Sequence, residues 1–315
     1  MKFAFLIDAP DALKANKDSS VALMRTAFRR GHDIALFEQR QLYYREGEVV
    51  AQVSDVRLHD DNEAWYSVQQ TRWQALNGFD AVLMRKDPPV ETEYLYATQL
   101  LELAQGQGAR VLNAPDALRD LNEKLAILRF PQWTAPTLVS CDMDELRRFA
   151  TDKRDVIFKP LDGMGGMEVF RVREDGLNLN AILESLTRQG TRTIMAQQYI
   201  PAIAAGDKRV FLVDGEPLPW ALARIPAPGE TRGNLAAGGR GVAQALSPRD
   251  WEIAYSVGAS FKQTDVLLVG LDIIGDWLTE INITSPTGLV DLSRETGQDM
   301  TARVVDALER RCGAI

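Results

Sequence analysis

Two cysteines, two histidines and no long apolar run are what this 315-residue chain is short of, and each shortage removes a class of chemistry. Cys141 and Cys312 are too few and too far apart for a disulfide framework or a zinc site. His32, near a helix end, and His59, in a polar run, are poor material for a Ser-His or Cys-His nucleophilic system. The apolar stretch at residues 3–7 stops at Asp8, too short for a signal-peptide core, and no segment approaches a membrane span. A cytoplasmic protein without a membrane partner is expected. A formal net charge of -8 argues against a general nucleic-acid surface, although a local basic cleft for phosphate fits within it. The chain also lacks any Gly-Lys pair, so a Walker A loop is excluded.

What is present is an α/β alternation. Residues 2–8 read as a strand, a helix opens at Asp18 or Ser19 and ends at Gly31, and residues 34–37 resume a strand. A second βαβ unit follows: a strand at 81–84, a turn at 85–89, a helix at 92–105 and a strand at 110–112. Residues 1–121 are thus expected to be one domain with a doubly wound parallel sheet. Its ligands would gather beyond the carboxyl ends of the strands, where Asp8 and Arg85 fall. Arg85 is a candidate substrate contact; a solvated loop arginine is the alternative.

Residues 122–201 change character, with shorter elements and the segment Lys159-Pro160-Leu161-Asp162-Gly163-Met164-Gly165-Gly166-Met167. Clustered glycines let successive amides approach and cradle a phosphate, and Lys159 adds a point charge. A glycine-rich hairpin turn between two strands explains the same residues. Lys124 lies in the first turn of a helix capped by Asn122, where a cation opposes the helix dipole, a local violation that often marks a site. Glu123 beside it is positioned to neutralise that charge.

Residues 202–315 open with a hairpin turning at Asp214-Gly215, which places residue 209 opposite residue 220 and puts Arg209 and Arg224 on one face. Two guanidiniums on one face can hold carboxylates or phosphates. The connection at 225–242, rich in Pro and Gly, carries Arg232 and Asn234 at its middle and reads as a lid or as disorder. A second hairpin carries Asp272, Glu280 and Asn282. Glu280 and Asn282 share a face because they are two apart on a strand. A three-residue turn at Gly275, Asp276 and Trp277 pairs Asp272 with Glu280 and Leu271 with Ile281, making one face oxygen-rich and the other apolar. A two-residue turn would set Leu271 against Glu280 and mix burial with charge. Hard oxygen donors of this kind suit Mg2+ alongside substrate phosphate, although acids on the wet face of a strand pair are also ordinary.

Taken together, Met84-Arg85-Lys86-Asp87-Pro88-Pro89, Asn122-Glu123-Lys124, Lys159 to Gly166, Gln197 to Ile200, Asp207-Lys208-Arg209, the loop from Gly229 to Gly239 and the stretch from Gly270 to Thr287 resemble the prokaryotic-type glutathione synthetases, which are ATP-grasp carboxylate-amine ligases. Met167, Glu168 and residues 289–294 depart from that pattern. The resemblance implies an ATP-grasp fold in which residues 122–201 form a lid and 202–315 a C-terminal domain, two α+β units clasping ATP. It implies ATP phosphates on Lys124, Lys159 and the loop of Gly163, Met164, Gly165 and Gly166, with adenine read by Gln198, Tyr199 and Ile200 and the ribose side met by Asp207. It implies γ-glutamylcysteine and glycine as substrates, oriented by Arg85, Arg209, Arg224 and Asn234. Arg232, Arg209 and Lys159 would act in catalysis, and Mg2+, or Mn2+ in its place, would sit on Asp272, Glu280 and Asn282. A homotetramer is implied as well. Another ATP-grasp ligase, or a nucleotide-binding module that no longer turns over, are the rival readings.

Overall fold

The computed structural model describes residues 1–163, 165–227, 233 and 238–313. The first βαβ unit forms as its sequence dictates: β1 (Lys2–Leu6), α1 (Ser19–Arg29) and β2 (Asp33–Phe37), with the two strands parallel. Asp18 caps α1 by accepting from the Val21 amide. Between the two units the chain makes an antiparallel meander that the sequence reading did not anticipate: β3 (Leu42–Arg45), β4 (Glu48–Leu58) and β5 (Tyr66–Ala75). Its cause is local. Glu46 and Gly47 both take positive φ, at 52° and 93°, which makes a tight turn between β3 and β4. Along β4, buried Val49, Ala51 and Val53 alternate with half-buried residues, the period of a strand covered on one face. The second unit, β6 (Ala81–Met84), α2 (Thr92–Gly106) and β7 (Val111–Leu112), completes a sheet of order β3-β4-β2-β1-β6-β7 with β5 on β4. The first sheet is therefore mixed rather than wholly parallel.

After the short α3 (Pro115–Asp120), a four-stranded antiparallel sheet of order β10-β9-β11-β8 forms from β8 (Thr137–Ser140), β9 (Val156–Pro160), β10 (Phe170–Val172) and β11 (Ile194–Gln198). Two helices, α4 (Met143–Lys153) and α5 (Leu179–Leu186), cover one face, burying Leu146 and Leu183 against Phe158, Ile194 and Ala196. The glycine segment joins β9 to β10, which pair antiparallel with Phe158 opposite Phe170.

The last sheet has the order β14-β13-β12-β15-β16. Its strands are β12 (Asp207–Val213), β13 (Glu216–Ile225), β14 (Arg240–Ala245), β15 (Leu268–Ile274) and β16 (Trp277–Asn282), with α6 (Pro248–Ala259) before β15. Both hairpins contain a bulge the sequence did not reveal. In the first, Asp214 and Gly215 make the expected turn with φ of 55° and 76°, but the register slips between Val210 and Leu212, so Arg209 faces Leu222 and not Trp220. The slip is by two residues, so side-chain parity survives and Arg209 and Arg224 still share a face. In the second, the turn is the two-residue Gly275-Asp276, with Ile274 opposite Trp277. A bulge at Thr279 then shifts the ladder by one, and Asp272 pairs with Glu280 and Leu271 with Ile281, as expected from the apolar pattern. Thr279 Oγ1 donates to the Asp272 carbonyl at 3.0 Å, which satisfies the irregularity.

Two helices end the described chain, α7 (Leu289–Thr296) and α8 (Met300–Arg311). The second returns to the first unit: Thr26 and Thr301 hydroxyls meet at 2.6 Å, and Val21 and Met24 share a core with Val304 and Leu308. A buried Asn113, just after β7, donates to the carbonyls of Leu268 and Ile283 and accepts from the amides of Leu267 and Leu268. All four hydrogen-bonding positions of one amide thus tie the first sheet to the hairpin that carries Asp272 and Glu280.

Candidate active site

A cavity of about 360 Å³ opens between the four-stranded and five-stranded sheets. Lys159, Gly163, Gly165 and Gly166 line it from the β9–β10 side, and Gln198, at the end of β11, lines it with Tyr199 and Ile200 just after that strand. Asp207, Arg209, Arg224, Asp272, Glu280 and Asn282 line the five-stranded side, with Lys124 at its edge. Met164, Arg232 and Asn234 lie outside the described residues. Arg85 does not line this cavity. It is 6% exposed, with Nε donating to Ser20 Oγ at 3.0 Å and Nη2 to the Pro286 carbonyl at 3.2 Å, so the solvated-loop alternative is overturned. Pro286 stands in the cavity wall, and Arg85 reaches that wall from behind.

The floor is built on the two bulged hairpins. Arg209 lies opposite Asp272 across the β12–β15 ladder and grips it with two bonds, Nε to Oδ1 at 2.5 Å and Nη2 to Oδ2 at 3.0 Å. Arg224 Nη2 adds a contact to Asp272 Oδ2 at 2.8 Å and another to Asp207 Oδ2 at 2.5 Å. Gly270 makes room for this: a Cβ there would stand 2.9 Å from Arg209 Cδ and from Pro286 Cβ. Burial alone would raise the Asp272 carboxyl, but the two guanidiniums hold it well below the usual range. At Asp207 burial wins over Arg224, and the carboxyl is pushed up to about 6.

Glu280, on the facing strand, has a different environment. Among the described residues its nearest cations are Lys124 Nζ at 3.6 Å and Lys159 Nζ at 3.9 Å. Lys124 also donates to the Gly163 carbonyl at 2.7 Å and pairs with Glu123. Burial works against its charge, yet Glu280 and Glu123 together raise its pKa. Lys159 is the reverse case, where burial outweighs Glu280 and lowers the pKa. Asn282 joins the group, its Nδ2 3.5 Å from Asp272 Oδ2 and 3.3 Å from the Gly270 carbonyl. The trio expected from the hairpin register is therefore together on one side of the sheet.

Asn122 accepts from the amides of Lys124 and Leu125, but the element is a 3-10 helix over Leu125–Arg129 with Lys124 at its N-cap position, so Lys124 precedes the helix and does not lie in its first turn. The sequence reading gave Glu123 only a neutralising part. Glu123 does more, since its carbonyl accepts from the Ile281 amide at 2.8 Å and its carboxyl lines the cavity. Burial, reinforced by Glu280, pushes that carboxyl up to about 7. Its position between Asn122 and Lys124 was a signal that could have been followed. The loop at 284–288 was also missed as a wall; it receives Arg209 Nη1 on the Thr287 carbonyl at 3.2 Å.

Such a cavity can hold a polyanion between lysines and glycine amides while a carboxylate-rich hairpin faces the same space. Comparison with known proteins agrees. Residues 1–119 match the family described as prokaryotic glutathione synthetase, N-terminal domain, and residues 123–297 match its ATP-grasp domain. A glutathione synthetase of Ralstonia nicotianae is 51% identical over 313 residues, covering 99% of this chain and 97% of that protein. Another, from Nitrosomonas europaea, is 50% identical over 98% of both chains. Among solved structures, the D-cycloserine synthetase DcsG superposes with a TM-score of 0.67 over 99% of this chain and all of that one, at 15% identity, which shows the shared fold. The chain belongs to the prokaryotic glutathione synthetase family.

Proposed function

We propose that the chain ligates γ-glutamylcysteine to glycine at the expense of ATP, the second step of glutathione biosynthesis. A carboxylate oxygen of the dipeptide attacks the γ-phosphorus and ADP leaves; the glycine amine then attacks the acyl phosphate, a C–N bond forms, and phosphate leaves. No protein nucleophile is needed, which fits a cavity whose chemistry is positioning and charge. One observation carries the reading: Lys124 and Lys159 converge within 4 Å of Glu280 while Asp272 and Asn282 flank it, so a phosphate-binding and a cation-binding set share one space.

In this proposal Lys124, Lys159 and the loop of Gly163, Met164, Gly165 and Gly166 meet the phosphates. Gln198, Tyr199 and Ile200 meet the base, and Asp207 the ribose side. Arg209, Arg224 and Asn234 orient the dipeptide, with Arg85 acting on the same region through Pro286, and Arg232 stabilises charge in transfer together with Arg209 and Lys159. The donors also fit Mg2+, with Mn2+ as a substitute. Burial, with the charges of Glu280 and Asp272 added to it, raises the Glu123 pKa, and a divalent cation would relieve the part that comes from charge. Among the described residues no three His, Cys, Asp or Glu side chains suffice by themselves, so Asn282 and the substrate phosphates complete the set, as is usual for this ion. When bound, the ion supplies charge neutralisation at the phosphates. The proposal further takes residues 1–121, 122–201 and 202–315 as the three structural units, a homotetramer as the assembly and the cytoplasm as the location. No helix among the described residues is long and apolar enough to cross a membrane.

The test is ADP release by the purified protein with each substrate omitted in turn. We expect sustained release only with γ-glutamylcysteine and glycine together. Sustained release with a different carboxylate and amine, and none with this pair, would point to another ligase of the same fold.

A further inference from the structure

Tyr199 lines the cavity in the segment assigned to the base, and its ring carries a cation: Arg171 Cζ stands 3.4 Å from the ring centroid. That guanidinium is held in place from behind. Its Nε and Nη2 donate to the two oxygens of Asp155 at 2.8 and 2.6 Å, a forked pair that fixes the plane of the group. Asp155 holds the other partner too, since its carbonyl accepts from the Tyr199 amide at 2.9 Å. One residue just before β9 therefore fixes both the main chain of Tyr199 and the cation stacked on its ring. The strand register agrees with a role toward the cavity. Arg171 pairs with Ile157 across β9 and β10, and Ile157 lines the cavity. An exposed ion pair of this sort would contribute little by itself, and the side chains here are 20% and 35% exposed. What the pair does supply is orientation: with one face of the ring covered, Tyr199 meets the cavity with its other face or its edge.

We infer that Arg171 is a positioning residue for the nucleotide base, acting through Tyr199, with Asp155 as its anchor. The inference rests on the assignment of Gln198, Tyr199 and Ile200 to the base. Bound ATP would be recognised by a tyrosine whose rotamer is chosen before binding, which lowers the ordering cost of association.

The experiment uses the full chain and measures KM for ATP, KM for glycine, kcat and Tm for Arg171→Met, Arg171→Lys and Tyr199→Leu. We expect Arg171→Met to raise the ATP KM about 3- to 10-fold, the range of a cation–π contact of this kind. The glycine KM and kcat should stay within about twofold and Tm within about 3 °C, following the separation of binding from chemistry and the scale of small stability changes. Arg171→Lys keeps the charge and loses the fork, so its ATP KM should fall between those of the wild type and Arg171→Met; if Arg171→Met does not fold, Arg171→Lys alone must show the selective rise. Tyr199→Leu should raise the ATP KM at least as much. An effect of Tyr199→Leu with none from Arg171→Met overturns the inference and leaves the base assignment standing. No effect from either variant overturns both. A parallel change in every constant and in Tm overturns the inference in favour of a general structural role.

Discussion

Asp272 and Glu280 are directly opposed on β15 and β16, and both face the same cavity, yet their surroundings differ in kind. Asp272 is 3% exposed and meets two guanidiniums. Among the described residues the cations nearest Glu280 are two lysines, at 3.6 and 3.9 Å. Position on the hairpin is thus not what decides the part each carboxylate plays; the neighbouring strand is. β12 supplies Arg209 beside Asp272, and β13 supplies Arg224, so Asp272 organises the arginines as well as facing the cavity. On the other side β16 is the sheet's edge, and Glu280 meets two buried lysines, Lys124 and Lys159, that lie outside its own sheet. Under the proposed function one carboxylate would serve both the architecture and the chemistry, and the other the chemistry alone.

Three substitutions sharpen that contrast. The largest effect should come from Glu280→Gln. We expect turnover to fall by roughly three orders of magnitude, because an amide would replace a charged side chain that the proposed function assigns to the cation, while Tm stays near that of the wild type. Comparable loss of Tm and turnover would erase the distinction. Asp272→Asn should instead act on the fold: two buried guanidiniums lose their shared counter-ion, a change that costs about 3 to 5 kcal/mol. Chemical denaturation reads this directly, and a loss below about 1 kcal/mol would show that Asp207 suffices for Arg224.

The smallest effect concerns Glu123, whose folded pKa of about 7 lies above its ordinary 4.5. The folded state therefore holds this proton more tightly than the unfolded chain does. Stability from Glu123 is greatest below pH 4.5, falls as pH rises toward 7, and is level above. In Glu123→Gln that slope should disappear, leaving the variant about 1 to 2 kcal/mol more stable than the wild type at pH 8 in the absence of nucleotide and metal. Unfolding curves at pH 5 and pH 8 check the sign. A wild type that gains stability over that interval from this group would contradict the assignment.

Much of this contrast was legible in the chain itself. Parity placed Arg209 with Arg224 and Asp272 with Glu280, because the side-chain period of a strand is two and one face must stay apolar. The same logic chose the right ladder for β15 and β16 through the wrong turn. An apolar pattern reports which residues face one another, and it is silent on whether a longer loop or a bulge at Thr279 absorbs the extra residue. The meander at β3–β5 was lost for a related reason: its strands are half-exposed, so they carry little of the apolar signal that marked β1 and β6. Asn113, Arg171 and Asp155 were invisible because their partners are remote in sequence or on other strands, and a polar residue in a strand or loop does not announce whom it will bind. For Arg85 the sequence located the strand end correctly but could not say that Pro286 would stand between it and the cavity.

The most direct test of the division between the two carboxylates is the Mg2+ dependence of ADP affinity, measured by calorimetry on the wild type and on Glu280→Gln. The wild type should bind ADP more tightly as Mg2+ is added, and Glu280→Gln should lose most of that gain at an unchanged Tm. The same Mg2+-dependent gain in both proteins would contradict the account.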